Sequence, residues 1–470
     1  MRNLSKIVIY FIIIALVIIS CQKESFYEGK DASLKFSMDT VSFDTVFSSI
    51  GTITKRLMVY NPYNKKINIS SISIAGVNSP FIININGLNT SKIYDIEISP
   101  NDSLYVFVQF YINPTGQNIP LIIIDSLICN VNGNTHIIKL MAYSQDVHII
   151  KTQTIKTQIW EADKPYLLFG NITVDISETL TINKGAIIYF HKNSNLLVKG
   201  TLKALGEFDK TISFKGDRLE KEYKDIPGQW GGINLLPGSK NHILNWIVVE
   251  NGTSGIVLGS INDFSKPDLE ISNSIIKNMT YSALLAFNAK IKAVNCLVVN
   301  AATYTCGLIG GGDYEFYHCT LANYYGEYDS RNFAIPSLYL SNFFIDNQNP
   351  TIKTASELTK ADFYNSIIYG SDTEELGLDS IASSLFRYKF DHCLIKSIKF
   401  NNRNTSTFSN NIWNSDPKFK MPDKFDFHLD TLSSAQNAGD IQIGELYPID
   451  LDNNDRTLLP DIGTYERIEK

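Results

Sequence analysis

The sequence predicts an all-β chain: an N-terminal β-sandwich, then a right-handed parallel β-helix, then a C-terminal cap. The first observation behind this is a phrase that returns between Leu244 and Ser415: an apolar or aromatic residue, Asn or His, a small residue, then two aliphatics. It reads Leu244-Asn245-Trp246-Ile247-Val248, Ile271-Ser272-Asn273-Ser274-Ile275-Ile276, Val294-Asn295-Cys296-Leu297-Val298, Tyr317-His318-Cys319-Thr320-Leu321, Tyr364-Asn365-Ser366-Ile367-Ile368 and Asp391-His392-Cys393-Leu394-Ile395. The Asn/His positions stand about 28, 22, 23, 47 and 27 residues apart, and a drifting period of this length marks a repeat architecture. The 47 reads as two steps, with one coil lacking the phrase. The second observation is residue type. The units are β-branched runs of four to six residues bounded by Asn, Gly and Ser, without the Leu lattice or the 3.6 period of other solenoids. The third is a change of character between residues 33 and 148, where alternating strands follow one another every 8 to 15 residues or so.

Residues 1–20 read as a secretory signal: Arg2 and Lys6, then the uncharged apolar run Ile7 to Ile19, too short for an ordinary membrane span. The run ends in Ile18-Ile19-Ser20-Cys21, which resembles the bacterial lipobox. That resemblance implies a lipidated Cys21 at the mature N-terminus, and more than one acyl chain suffices for stable anchoring. Gln22 stands where Asp is associated with inner-membrane retention, so the expected location is the outer membrane of a Gram-negative bacterium. Gln22-Lys23-Glu24 resembles the charged tags that send some lipoproteins to the cell surface. Residues 21–32 form the tether. The formal charge is −6 and becomes more negative once the signal is removed. No basic concentration points to nucleic acid.

Residues 33–148 hold strands near Thr52 to Tyr60, Ile67 to Ile74, Phe81 to Ile85, Ile93 to Ile98, Leu104 to Tyr111, Ile119 to Val131 and His136 to Tyr143. Turn signals such as Asn61-Pro62, Asn86-Gly87 and Asn132-Gly133 separate them, as in an antiparallel sandwich. Their order, with Phe43-Asp44-Thr45-Val46-Phe47 and the late Leu140-Met141-Ala142-Tyr143, resembles Hydin-type immunoglobulin-like domains. The resemblance implies a spacer or interaction module without catalysis.

Residues 149–415 are assigned to the β-helix. Each coil adds one strand per sheet, about 4.8 Å above the last, and like residues stack on like. Ser274, Cys296, Cys319, Ser366 and Cys393 then share one slot, an inward ladder of small side chains, and the Asn or His before each sits at a corner where Asn tolerates left-handed backbone. Stacked thiols present parallel Cβ vectors, a poor geometry for a bridge, so buried free thiols are expected. A polar excursion from Gly216 to Pro227 projects as a loop and ends in Gly228-Gln229-Trp230-Gly231-Gly232-Ile233. With the later Asn/His-Cys rungs, this resembles a large family of exported bacterial parallel β-helix lipoproteins. The closing stretches Asp416-Pro417-Lys418-Phe419, Ser433 to Gly439 and Asp461-Ile462-Gly463-Thr464-Tyr465-Glu466 resemble that family's D-P-x-F, S-P-A-x-x-x-G and D-I-G-A-Y-E, with Ser434 and Thr464 departing from Pro and Ala. Residues 416–470 are read as the cap over the solenoid's open end.

Enzymes of this fold cleave acidic polysaccharides with aspartates that hold calcium or act as acid and base. The hydrolase signatures N-T-D, D-D, G-H-G and R-I-K do not occur in order, and Asp391-His392-Cys393 is explained by its place in the period. Asp313, Glu315, Asp329 and Arg331 lie close together, as loop charges routinely do. No cofactor is expected. Calcium is the one ion that Asp450 to Arg456 has the composition to hold, without the glycine and closing Glu of an EF-hand.

The outstanding feature is aromatic: Tyr304, Tyr314, Phe316, Tyr317, Tyr324, Tyr325 and Tyr328 in one window, beside Asp313 and Asp329. Exposed tyrosines with polar neighbours grip sugars by stacking; the plainer account is an inward aromatic ladder with a few loop tyrosines. The expected function is therefore a lipid-anchored, non-catalytic envelope protein that binds a polysaccharide or envelope component, with Tyr304, Tyr314, Tyr324, Tyr325, Tyr328, Asp313 and Asp329 as candidate contacts. Its rivals are a polysaccharide lyase or glycoside hydrolase of the same fold, and a purely structural stalk or adhesin. Cys21→Ala should move the protein from the detergent-extracted membrane fraction to the soluble fraction. An unchanged membrane fraction would remove the lipid anchor from the account.

Overall fold

The computed structural model describes residues 25–48, 54–114, 116, 121–325, 335–345 and 349–468. The expected signal and Cys21 lie outside the described residues, as do Tyr328, Asp329 and Arg331. The chain divides into two compact units, residues 1–146 and 147–470.

The first unit is a sandwich of two five-stranded sheets. One orders Lys35–Phe36, Lys55–Tyr60, Ser103–Phe110, Phe81–Ile85 and Leu88–Thr90; the other orders Thr40–Phe47, Asn134–Gln145, Leu121–Val131, Ile67–Ile74 and Lys92–Ile98. Strict alternation explains the packing: Ser103–Phe110 buries Leu104, Val106, Val108 and Phe110 and turns Tyr105 and Phe107 outward. Cys129 is a buried free thiol in this core. One pairing departs from the antiparallel expectation: Thr40–Phe47 runs parallel to Asn134–Gln145. The two strands are far apart in sequence, so no hairpin constrains their direction.

The second unit is a parallel β-helix of three faces. The first face carries, among others, Ile247–Glu250, Ile275–Met279, Leu297–Ala301, Thr320–Asn323, Ile367–Gly370 and Leu394–Ile395. The second carries Ser254–Leu258, the N-terminal halves of Ser282–Val294 and Tyr304–Tyr317, then Leu338–Ser341 and Leu376–Asp379. The third carries His242–Asn245, Asp268–Ser272, the C-terminal halves of the same two long strands, then Leu358–Tyr364 and Lys389–Asp391.

The repeated phrase is the corner from the third face to the first. Trp246, Asn273, Asn295, His318, Asn365, His392 and Asn410 all adopt left-handed backbone there, with φ between 46° and 54°. Behind them Ser274, Cys296, Cys319, Ser366 and Cys393 form one column, each at most 1% exposed. Their short polar side chains bond to the carbonyl two residues back: Ser366 Oγ donates to Tyr364 O at 2.9 Å, and Cys319 Sγ lies 3.4 Å from Tyr317 O. Ser366 Oγ also accepts the Cys319 N–H from the neighbouring coil at 3.1 Å. The thiols are free, and burial pushes the Cys393 thiol up to about 12.

Two expectations about the phrase are corrected. Asn245 pairs with Ser272, so the left-handed position of that rung belongs to Trp246, and Ile247 fills the small-residue slot. The 47-residue step is a single coil: Tyr317 pairs directly with Tyr364, and Thr320 with Ile367. No coil has lost the phrase. The extra length is an excursion between Thr320–Asn323 and Leu358–Tyr364 that includes the antiparallel hairpin Phe343–Ile345 and Lys353–Ala355. Inside, Phe316, Phe363, Phe390 and Phe408 stack rung upon rung at 4.9, 4.8 and 5.3 Å.

The C-terminal segment caps the solenoid along its flank. Phe427, Leu451 and Tyr465 pack on Leu297, Val299 and Ala322, while Leu429, Ala435 and Ile462 pack on Ile367, Tyr369 and Leu394, all on the outer side of the first face. Its polar contacts seek the corners: Asn295 Nδ2 donates to Ile449 O at 2.6 Å, Asn365 Oδ1 accepts the Asp440 N–H at 2.7 Å, and Thr464 Oγ1 donates to Cys296 O at 3.1 Å. The motif Asp461 to Glu466 is thereby accounted for. Asp461 accepts the Asn437 and Arg467 N–H groups, Ile462 fills the apolar flank, and Glu466 lies 3.4 Å from the wholly buried Arg456. At the last rungs, Phe400 and Trp413 pack on Phe408.

Cys319→Leu adds bulk to a slot walled by Ser366, Cys296 and two carbonyls, and should lower unfolding stability by about 1 to 3 kcal/mol. In the native protein Cys319 should resist alkylation until the chain unfolds. Rapid labelling under native conditions would contradict the inward column.

Candidate functional site

Outward side chains of the third face sit at fixed distances before the corner. Three residues before it stand Ile243, Glu270, Lys292, Glu315, Asp362 and Lys389, each paired in register with the next. Five residues before it stand Asp268, Lys290, Asp313 and Lys360. Sign therefore changes from rung to rung over much of the face, and Lys360 pairs with Glu315 across one step. Asp313, Glu315, Glu270, Lys290 and Lys292 border a groove of about 230 Å³. Burial holds the Asp362 carboxyl above its usual range. Alternation of this kind neutralises itself along the stack, and it favours the observed register over a slip of one rung. Among the described residues no three His, Cys, Asp or Glu side chains converge as metal ligands. In the cap, Asp450 accepts N–H groups from Asp452, Asn454 and Glu466, and the Asn454 side-chain amide as well. Its oxygens are taken by donors, which weighs against calcium there.

The second face is different in kind. Tyr281, Tyr304 and Tyr339 stand on three successive coils, with ring centroids 6.4 and 6.1 Å apart. Leu285, Phe287 and Ile309 lie beside them, and Phe343 and Phe344 close one side of a cleft of about 280 Å³. Two glycines make room for rings. A Cβ on Gly307 would sit 3.2 Å from the Tyr304 ring and 2.9 Å from Leu285; one on Gly377 would sit 2.8 Å from the Tyr339 ring. Both tyrosines thus lie against bare backbone while remaining half-exposed. Burial holds the Tyr304 and Tyr339 hydroxyls above their usual range, so both rings stay neutral. The Tyr339 hydroxyl donates to Asp379 at 3.3 Å.

Of the expected contacts among the described residues, Tyr304 alone joins this surface. Tyr314 is 0% exposed, and its hydroxyl donates to Gly311 O at 2.8 Å inside the solenoid, so it is core and cannot touch a ligand. Tyr325 is 5% exposed and is likewise removed as an exposed contact. Tyr324 wedges between the first face and the cap, against Phe419 and Phe427. Phe316 belongs to the inner ladder, and Tyr317 stacks on Tyr364 and meets Tyr447 of the cap. Asp313 lies on the third face, apart from the tyrosines. Tyr339 was missed because the 47-residue step, read as two coils, separates it from Tyr304 by a rung that does not exist, and Tyr281 because it lies one coil before the aromatic window.

A family model described as "Right handed beta helix region" matches residues 129–321, and the unit is a right-handed parallel β-helix. No curated protein matches the sequence. Among solved structures, the chain is similar to a family 123 glycoside hydrolase from Clostridium perfringens, at 9% identity over 25% of this chain and 26% of that one, with a TM-score of 0.18. It is also similar to the catalytic domain of a GH87 α-1,3-glucanase, at 8% identity over 77% of this chain and 88% of that one, with a TM-score of 0.19. The chain thus spans about a quarter of the first hydrolase's length, and both scores lie far below what a shared fold gives.

The strand that carries Tyr339 is held by Glu375. Its buried carboxylate accepts the Ser337 N–H at 3.0 Å, the Ser337 hydroxyl at 2.7 Å and the Asp372 N–H at 2.9 Å. Burial raises this carboxyl from 4.5 to about 7, against the pull of those donors. Below the unfolded value both states are protonated and the site is at its most stable. As pH rises from 4.5 to 7 the unfolded chain releases its proton first and stability falls, then levels off. Glu375→Gln removes this dependence. The stability difference between wild type and variant should therefore shift by roughly 3 kcal/mol between pH 4 and pH 8 in urea titrations. A difference independent of pH would contradict the raised value.

Proposed function

We propose that this is a lipid-anchored protein of the Gram-negative outer membrane whose β-helix binds glycan, without catalysis, through the tyrosine surface of its second face. One observation carries the reading: Tyr304 and Tyr339 lie on Gly307 and Gly377, neutral and half-exposed, in a staggered row with Tyr281. A side chain that packs against backbone on one face keeps its other face for a ligand, and sugar rings with apolar C–H faces stack on such aromatics. The anchoring rests on the lipobox-like sequence ending at Cys21.

A second reading, glycoside hydrolysis on the third face, has its own observation. Glu315 pairs with Lys360, while burial favours the protonated form of Asp362 on the next rung. Two neighbouring carboxyls in unlike surroundings can serve as base and acid. The lysines interleaved with them favour the structural role instead.

Losing one stacked aromatic typically costs about 0.5 to 1.5 kcal/mol. Tyr304→Ala and Tyr339→Ala should each weaken glycan binding several-fold with little change in melting temperature, whereas Tyr314→Ala should unfold the coil at much lower temperature. Release of reducing ends from a glycan, lost in Glu315→Gln and Asp362→Asn, would establish the hydrolase reading instead.

A further inference from the structure

Among the described residues the walls of the tyrosine cleft carry no charged side chain: beside the three tyrosines they are Ile261, Leu285, Phe287, Ile309, Ser341 and the strand Phe343-Phe344-Ile345. Three charged residues that touch its lining residues or stand near them in the chain have partners. Asp379 accepts the Tyr339 hydroxyl, Lys353 lies 3.9 Å from the Phe343 ring centroid, and Asp263 accepts both the N–H and the hydroxyl of Ser265. Ser341 Oγ accepts the Gly310 N–H and donates to Phe343 O, so it offers little to a newcomer. A carboxylate placed in this cleft would lose water and find no cation among the described lining residues, Lys353 being placed over the Phe343 ring, a penalty that uncharged hydroxyls largely avoid. The rings are also not coplanar. Tyr281 and Tyr304 cross at 86°, and Tyr304 and Tyr339 at 46°. A ribbon whose sugars all present one plane can stack on one of these rings at a time. A chain whose sugars rotate from one residue to the next can follow all three.

Resting on the glycan-binding reading above, we infer that the ligand is an uncharged hexose polymer whose chain turns between residues, as 1,3-linked glucans do, and that acidic polymers of uronate are excluded. Phe344 sets the cleft's closed side, since its ring lies over Gly310 and leaves no room for a Cβ there. The ligand runs across the coils along the row Tyr281, Tyr304, Tyr339.

The test is calorimetric titration of the full chain with three hexasaccharides: a β-1,3-linked glucan, a β-1,4-linked glucan and an oligogalacturonate. The β-1,3-glucan should bind at least several-fold more tightly than the flat β-1,4 chain, and the uronate should show no binding that depends on Tyr304. Tyr304→Phe should keep the affinity and Tyr304→Ala should lower it, at unchanged melting temperature. Tighter binding of the uronate, lost in Tyr304→Ala and Tyr339→Ala, would overturn the ligand class and leave the tyrosine surface standing. Equal or tighter binding of the flat chain would overturn the turning-chain assignment alone. No binding of either neutral hexasaccharide would overturn the inference. If in addition no glycan-dependent effect of the tyrosine variants is found, the reading of the surface itself falls.

Discussion

Everything in the β-helix depends on one turn, made once per coil, from the third face to the first. The backbone there is left-handed, a conformation that costs most L-residues roughly 1 to 2 kcal/mol and Asn far less. Asn fills it in four of the seven coils that share it, His in two and Trp246 in one. Asparagines also bond to one another up the stack: Asn295 donates to Asn273, and Asn273 to Asn245 just before the Trp246 corner, each at 3.0 Å. Behind them stands a residue small enough to let the chain close and polar enough to bond a carbonyl. Corner and column together hold each coil over the last. The C-terminal segment docks on the same corners, so the cap reinforces the element that sets the register.

Once register is set, position within the coil decides what a residue does. Inward residues become ladders, as Phe316, Phe363, Phe390 and Phe408 do. Outward residues become surfaces, and the two surfaces differ because two halves of the same long strands point into different sheets. Ser282–Val294 and Tyr304–Tyr317 each bend near their middles, at Asn288 and at Gly310 to Gly312, all with positive φ. Before the bend their outer residues are apolar and aromatic. After it they are charged, with sign changing between neighbouring rungs. The charged face is satisfied by itself, while the tyrosine face has apolar area and few free hydrogen-bonding groups among the described residues.

Much of this was legible in the chain. The phrase announced the corner, its residue types announced left-handed backbone, and the buried column followed from the small residue after it. The charged columns were legible as well, at three and five residues before each corner, although only Asp313 and Glu315 had been singled out. What could not be read was pairing across a long excursion. A step of 47 residues is equally two short coils or one coil with an insertion, since sequence spacing does not distinguish chain that adds a rung from chain that loops out. That ambiguity hid Tyr339 beside Tyr304. Nor does clustering along the chain predict clustering in space on a solenoid: the tyrosines of residues 304 to 325 point variously into the core, toward the cap and onto the second face. The cap was legible as a segment, but its place on the flank depends on which outer residues of the first face are apolar, and that required the register.

The central claim is therefore that the coil after His318 stacks directly on the coil before it. It is tested most directly by nuclear Overhauser contacts between tyrosine rings, in protein deuterated everywhere except at tyrosine. The account predicts contacts between Tyr317 and Tyr364, whose stacked rings lie 5.4 Å apart, and between Tyr304 and Tyr339 at 6.1 Å. An intervening coil would place the members of each pair about 10 Å apart. Absence of both contacts, with the Tyr281 to Tyr304 contact present at its longer 6.4 Å, would contradict it.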